Sequence, residues 1–314
     1  MKKRFLTLWA AVGMLQSGDA ASETRFSAWS APINIGAPIS TPAAELTPEI
    51  SRDRSSLYFS RQLADGTLDL MVSKWDAVEG VWGEPEPLEV LNSPASDVAP
   101  TLSRDGHSMY FGSTRPGGCG GYDVWVSRRR NGREDFGNGG WRTPEHLGCT
   151  LNTPSLDAPN AYVEDEDTGI ATLWVTHAPD PAAASITDIC VSDRAADDEP
   201  FGPCVPVAEL STEFRDARVT FRRDGLEAFL ESARPETAID LWVTTRESDC
   251  EPWSPPVNLG AAVNAVCPQS ATCNDQAPRL SFDGTALYFT SNRPGGAGND
   301  IYVMTRTRIP AEEK

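Results

Sequence analysis

The 314-residue chain holds only three histidines, His107, His146 and His177, so a three-histidine metal centre would have to use them all. Basic residues are scarce as well: 27 Lys and Arg stand against 45 Asp and Glu, a formal net charge of −18. A surface of that sign repels phosphate backbones and anionic lipid, which excludes nucleic acid as an expected partner. Beyond the N-terminus no apolar run approaches the roughly 20 residues that span a bilayer. The chain has no Gly-x-Ser-x-Gly nucleophile elbow, so the α/β-hydrolase signature is missing. Its seven cysteines form no Cys-x-x-Cys pair, which argues against a zinc ribbon or a thioredoxin-type site. Outside the first residues no stretch shows a 3.6-residue apolar period, so helices are not expected.

What is present begins with a leader. Lys2, Lys3 and Arg4 precede an apolar stretch, Phe5–Leu15, and small residues follow at Gly18, Ala20, Ala21 and Ser22. That order predicts a secretory signal over 1–21. Its removal takes three positive charges and Asp19 away, leaving a net charge of −20 from the −18 of the whole chain. No cysteine lies near the cleavage point, so a lipid anchor is not expected. The mature chain is then a periplasmic or secreted protein, and disulfides are the default state of its cysteines.

Glycine and proline, 25 of each, point to many turns, and the turns recur. Trp-x-x-Pro stands at Trp29, Trp82, Trp141 and Trp253, with a degenerate copy at Phe201; the steps are 53, 59, 60 and 52 residues. A second unit follows each copy, as in Asp97-Val-Ala-Pro-Thr-Leu-Ser-Arg-Asp105-Gly106 and Asp275-Gln-Ala-Pro-Arg-Leu-Ser-Phe-Asp283-Gly284. Weaker copies start at Glu45 and Asp216, and the most divergent starts at Asp157. Each leads into an aromatic strand such as Met109-Tyr110-Phe111, then into a strand opened by Asp, such as Asp123-Val-Trp-Val. Strands apolar on both pleat faces suit sheets packed between two others. Repeats of this length predict an all-β, five-bladed β-propeller of four-stranded antiparallel blades. Three strands come last with no outer strand after them, so Trp29–Gly36 is expected to complete the final blade and close the ring. One domain then covers 22–309, with a tail over 310–314.

The run Ser103-Arg-Asp105-Gly-His-Ser-Met-Tyr110-Phe-Gly-Ser-Thr-Arg115-Pro-Gly-Gly-Cys-Gly-Gly-Tyr-Asp123-Val-Trp-Val resembles the TolB-type, WD40-like β-propeller repeat, and Ser281–Met304 is an equally close copy. The resemblance implies an exported bacterial propeller. Members of that family range from envelope scaffolds to peptidase-linked propellers, so fold does not settle function.

In such a blade the connection into the inner strand and the loop between the second and third strands share a face. That face is expected to carry Glu45, Asp97, Asp157, Asp216 and Asp275, one acid per blade, with Arg115, Arg234 and Arg293 beside them. Blades one and three show no Arg at the matching place. An Asp–Arg clasp holding blades in register is one reading. The other leaves carboxylates unpaired at the channel mouth, where they would take Ca²⁺ or sugar hydroxyls. Topology favours the disulfides Cys119–Cys149, Cys190–Cys204 and Cys267–Cys273, leaving Cys250 over; Cys204–Cys250 is the competing pair.

The five acids occupy equivalent repeat positions, whereas an acid and a base in catalysis need different environments. That uniformity favours a non-catalytic module, expected to be a monomer, that binds an envelope protein. The alternative is a glycan-binding or glycoside-cleaving propeller that uses carboxylates at the channel mouth.

Overall fold

Apolar strands joined by Asp-Gly turns fold back on themselves, because glycine tolerates the positive φ those hairpins require. Gly106, Gly225 and Gly284 sit at φ 71°, 70° and 74° in the inner hairpins of three blades. The computed structural model describes residues 25–129, 140–165, 168–196, 199–234, 238–267 and 272–309. The expected signal over 1–21 and the tail over 310–314 lie outside the described residues.

Five antiparallel sheets form the blades. Blade two is typical, with an inner strand Asp97–Leu102, then Ser108–Ser113, Asp123–Arg128 and an outer strand Glu145–His146. The inner strands of the other blades are Glu45–Ile50, Asp157–Glu164, Asp216–Phe221 and Asp275–Leu280. Blade three also carries a short 3-10 turn over Pro181–Ala183, capped by the Asp180 side chain. Among the described residues there is no α-helix.

The ring closes as the repeat count requires. Ile33–Asn34 pairs with Val303 and Tyr302, so the first strand of the repeat series becomes the outer strand of blade five. A second pairing, Arg25–Phe26 with Arg308–Ile309, ties the two ends of the chain together. Closure removes the sheet edges that would otherwise template aggregation.

Five apolar clusters fill the five seams between blades. Tyr58 and Leu70 of blade one meet Met109, Phe111 and Trp125 of blade two, and the other seams are built alike. The Trp-x-x-Pro aromatics belong to these seams: Trp141, Trp253 and Phe201 are buried. Each lies under a guanidinium from the end of its blade's third strand. Arg129 covers Trp141 at 4.7 Å, Arg194 covers Phe201 at 5.0 Å, Arg246 covers Trp253 at 4.5 Å and Arg306 covers Trp29 at 4.4 Å. In three of these blades the same arginine donates to the hairpin glycine carbonyl, Gly106, Gly225 or Gly284. The aromatic, the arginine and the Asp-Gly turn are therefore one interlocked unit.

Disulfides join Cys119 to Cys149, Cys190 to Cys204 and Cys267 to Cys273, and Cys250 is exposed and free. The competing Cys204–Cys250 pair does not form. Three disulfides fit an extracellular or secreted protein. Among the described residues no helix is long and apolar enough to cross a membrane.

Candidate functional site

The five acids at the first position of the inner strands are fully buried. Each ties its strand to the loop arriving from the previous blade. One oxygen of Asp97, Asp157 or Asp216 accepts from the backbone N–H and the hydroxyl of Ser93, Thr153 or Thr212 four residues earlier. The other oxygen faces a cation of the same blade: Arg115 Nη2 at 2.6 Å from Asp97, Arg234 Nε at 2.9 Å from Asp216, and Arg293 on Asp275. These arginines also donate to the carbonyls of Leu91, Leu210 and Val263 in the arriving loops. The clamp therefore acts within a blade and on its incoming connection, not between neighbouring hairpins.

Blades one and three correct the expectation of unpaired carboxylates. Glu45 reaches one bond further than aspartate and pairs with Arg61 Nε at 3.0 Å, a residue two positions nearer along the chain than the other arginines. Arg61 Nη2 donates to the Ile39 carbonyl at 2.7 Å, completing the same clamp. In blade three His177 Nδ1 stands 2.7 Å from Asp157. Burial raises the Glu45 carboxyl, opposed by hydrogen bonds from Thr41 and by Arg61. With every acid partnered, the premise for Ca²⁺ at this ring does not hold. Glu45, Asp97, Asp157, Asp216, Asp275, Arg115, Arg234 and Arg293 build the rim of the mouth.

Inside the rim, the inner strands line the channel, and each carries a bulge that adds one residue. Thr47, Ala99, Arg218 and Ala277 take φ between 50° and 58° there. Their N–H groups turn toward the preceding blade and are met by its side chains, Ala99 by Thr47 as well as Ser60. Thr290 accepts from Thr47, Ser60 from Ala99, Thr176 from Arg218 and Glu231 from Ala277. The fifth bulge has proline, Pro159, which offers no N–H, and the facing residue of blade two is Gly112, which offers no acceptor. The gap is filled by close packing instead, since a Cβ on Gly112 would lie 3.5 Å from Ala158.

Against this repeated frame a few charged residues stand out. Glu231 replaces the Ser, Thr or Gly of the other blades, and its Oε1 accepts from Arg215 Nη2 at 2.7 Å. Glu49 takes the place held by Thr101, Ala161, Thr220 and Arg279, and Arg279 Nε approaches its Oε2 to 2.6 Å. Arg279 also donates to the Asn160 carbonyl at 2.5 Å. Burial pushes the Glu49 carboxyl up to about 7 despite Arg279 and the Leu102 backbone. Burial likewise lowers Arg218 to about 10, with Glu231 opposing the shift.

Two spaces adjoin this set. One of about 20 Å³ lies between the bulge prolines, Asn160 and Arg279, room for a single water. The other, about 190 Å³, opens beside Tyr122, Arg215, Arg218, Glu231 and Gln276. Toward the opposite face Phe282 is approached by guanidiniums of three other blades, Arg52 at 4.3 Å, Arg223 at 5.0 Å and Arg104 at 5.6 Å. Contacts from so many blades place that ring over the far end of the channel. The larger space is a chamber walled in part by Arg215, Arg218 and Glu231.

The repeat pattern singled out the five inner-strand acids and three arginines and passed over Glu49, Glu231 and Arg218. The signal was available: Glu49, Glu231 and Arg218 are departures from aligned repeat positions, two blade-specific acids and a base that the uniform ring lacks. Two of the three histidines are also more than loop residues. His177 is a clamp partner, and His146 packs on Trp125 at 4.8 Å.

No family model matches the chain, and no curated protein matches it in sequence. Solved structures do. The catalytic domain of a GH62 α-L-arabinofuranosidase from Coprinopsis cinerea is similar at 13% identity and TM-score 0.57, over 92% of this chain and 99% of that one. An α-L-arabinofuranosidase from Podospora anserina, solved with cellotriose, is similar at 12% identity and TM-score 0.58, over 89% and 96%. One from Lactobacillus brevis gives 12%, 0.57, and 90% and 95%. Identities this low speak for the fold: the chain is a five-bladed propeller. The TolB-type part of the sequence resemblance gains no family assignment. The expected non-catalytic, protein-binding module is corrected here, because the structures similar to this chain are mostly glycoside hydrolases.

Proposed function

We propose that this protein is an exported, monomeric, sugar-directed propeller whose ligand enters the chamber at the acid-bearing mouth. The observation that carries the reading is the blade-specific set inside the channel. Glu231, Arg215 and Arg218 offer directional donors and acceptors beside the ring of Tyr122, around a space of about 190 Å³. A few convergent polar groups on a largely apolar wall are what a small-ligand site requires. Sugar hydroxyls would take the donors, and the Tyr122 ring would cover an apolar sugar face. The eight rim residues hold the loops that shape this opening.

Cleavage is the second reading, and its candidate acid is Glu49, which pairs with Arg279 behind the residues that line the two spaces. A carboxyl held up to about 7 by burial keeps its proton near neutral pH, as a general acid must. Glu231, paired with Arg215, supplies the carboxylate in a different environment.

The test is calorimetric titration with cellotriose and xylotriose, together with an assay for release of arabinose from aryl α-L-arabinofuranosides. Binding is expected, weakened about 10-fold or more in Arg218→Ala through loss of charged hydrogen bonds. Under the second reading release is also seen and is lost in Glu49→Gln. Absence of both binding and release across the panel would overturn the proposal.

A further inference from the structure

Blade two differs from its neighbours at one corner, where its outer strand meets the loop before its third strand. In blades four and five an asparagine of the outer strand, Asn258 or Asn34, accepts from a glycine two residues on and donates to the first Asp of the third strand, Asp240 or Asp300. In blade two the same position is His146. Its Nδ1 stands 3.2 Å from Gly148 N, where the asparagines place their oxygen. Its Nε2 lies 3.8 Å from Asp123 Oδ2, too far for the hydrogen bond that asparagine makes, and accepts instead from Asn152 Nδ2 at 3.1 Å, a donor that a metal on Nε2 would displace.

Blade two is also the blade whose corner holds the Cys119–Cys149 disulfide. Cys119 Sγ lies 3.9 Å from His146 Nε2, and one ligand atom each of Cys119, Asp123 and His146 falls within 4.8 Å of the others. Cys149 Sγ is bonded to Cys119 Sγ and so joins the group. Asp123 is buried, and its Oδ1 has no hydrogen-bond partner. The edges of a zinc tetrahedron with thiolate, imidazole and carboxylate ligands are about 3.3–3.8 Å. The separations of His146 Nε2 from Asp123 Oδ2, 3.8 Å, and from Cys119 Sγ, 3.9 Å, are close to those edges, and the sulfurs close the remaining distance once their bond is broken.

We infer that reduction of Cys119–Cys149 converts this corner into a Zn²⁺ site with Cys119, Cys149, His146 and Asp123 as ligands. The inference is independent of the sugar-directed reading. A thiol reductant supplies two electrons and two protons: the S–S bond breaks, two protein thiols form, and two reductant thiols leave as their own disulfide. Zn²⁺ then replaces the two thiol protons, which pass to solvent. Cys149 is exposed at the end of its turn, so a reductant reaches it from outside. The site reports redox state: the oxidised protein is locked covalently, and the reduced protein is locked by metal.

The experiment measures zinc uptake by the full mature protein, oxidised or reduced, with Zn²⁺ alone as the probe. A thermal melt and the spectrum of Co²⁺ bound in its place are recorded in parallel. His146→Asn is the chosen variant, because it restores the residue that blades four and five carry and so preserves the fold. Reduced wild type should bind one Zn²⁺ per chain, show a tetrahedral cobalt spectrum and melt higher with zinc than without. Oxidised wild type should bind at least 100-fold more weakly, and reduced His146→Asn about 10-fold or more weakly than reduced wild type. Equal uptake by reduced wild type and His146→Asn would overturn the inference, since it would place the metal on other thiols or on an unfolded chain. So would a reduced, folded protein that takes up no zinc.

Discussion

At the scale of single residues, the consequential positions are those where one blade breaks a rule the others keep. Glu45 is longer than the aspartates, and its cation, Arg61, is displaced along the chain by two residues to match. Pro159 lacks an N–H, and Gly112 opposite lacks an acceptor. That match yields a prediction. Pro159→Ala should expose an unanswered amide in a packed wall and cost about 1–3 kcal/mol. Adding Gly112→Ser should recover about 1 kcal/mol, read as coupling in a double-mutant cycle by denaturant unfolding. Glu49 carries a pH signature. Its folded pKa of about 7 stands above the ordinary 4.5, so its contribution is fully present below pH 4.5 and fades as pH rises through 7. Wild type should lose about 2–4 kcal/mol across that window relative to Glu49→Gln, measured as stability against pH. Each of these is visible in the sequence as a lone departure from the repeat, but what it does is not. Their meaning depends on which repeat position faces which, and that requires the ring.

At the scale of elements, the acid, the cation and the arriving loop behave as one device in every blade. Arg234 illustrates it: it neutralises the fully buried Asp216 and holds the Leu210 carbonyl. Arg234→Ala should destabilise the protein by about 3–5 kcal/mol, since it leaves a buried charge uncompensated. A thermal melt of the variant checks this. The acids and three of the arginines were legible as a periodic pattern, because a repeated geometry repeats its residues. Arg61 and His177 were not, because they serve the same geometry from other offsets or with other chemistry. The cations over Trp141, Trp253 and Trp29 share one repeat position, which blade one fills with Trp75, packed on Trp82. Arg129, Arg246 and Arg306 recur at one position after the third strand, and the repeat alignment extends naturally to them.

At the scale of the whole molecule, closure and charge define what the propeller can do. The outer strand Ile33–Asn34 seals blade five, and Trp29 lies 5.8 Å from Phe229 across the last seam. A chain beginning after Gly36 should therefore expose the edge of Asp300–Thr305 and aggregate, which light scattering during refolding would show. The architecture was readable from spacing alone, since apolar strands at 52–60-residue steps admit few other arrangements. Its use was not. The excess of acid suggested an acidic mouth, yet the buried rim acids are all paired and the chamber behind them is walled by Arg215, Arg218 and Glu231. A net charge of −18 thus coexists with a cationic interior.

The central claim is that a sugar occupies this chamber. A crystal of the protein soaked with xylotriose or cellotriose tests it most directly. The account predicts sugar density in the space beside Tyr122, Arg218 and Glu231, with a hydroxyl within hydrogen-bond distance of a guanidinium. An empty chamber at saturating sugar, or density only on the outer faces of the blades, would contradict it.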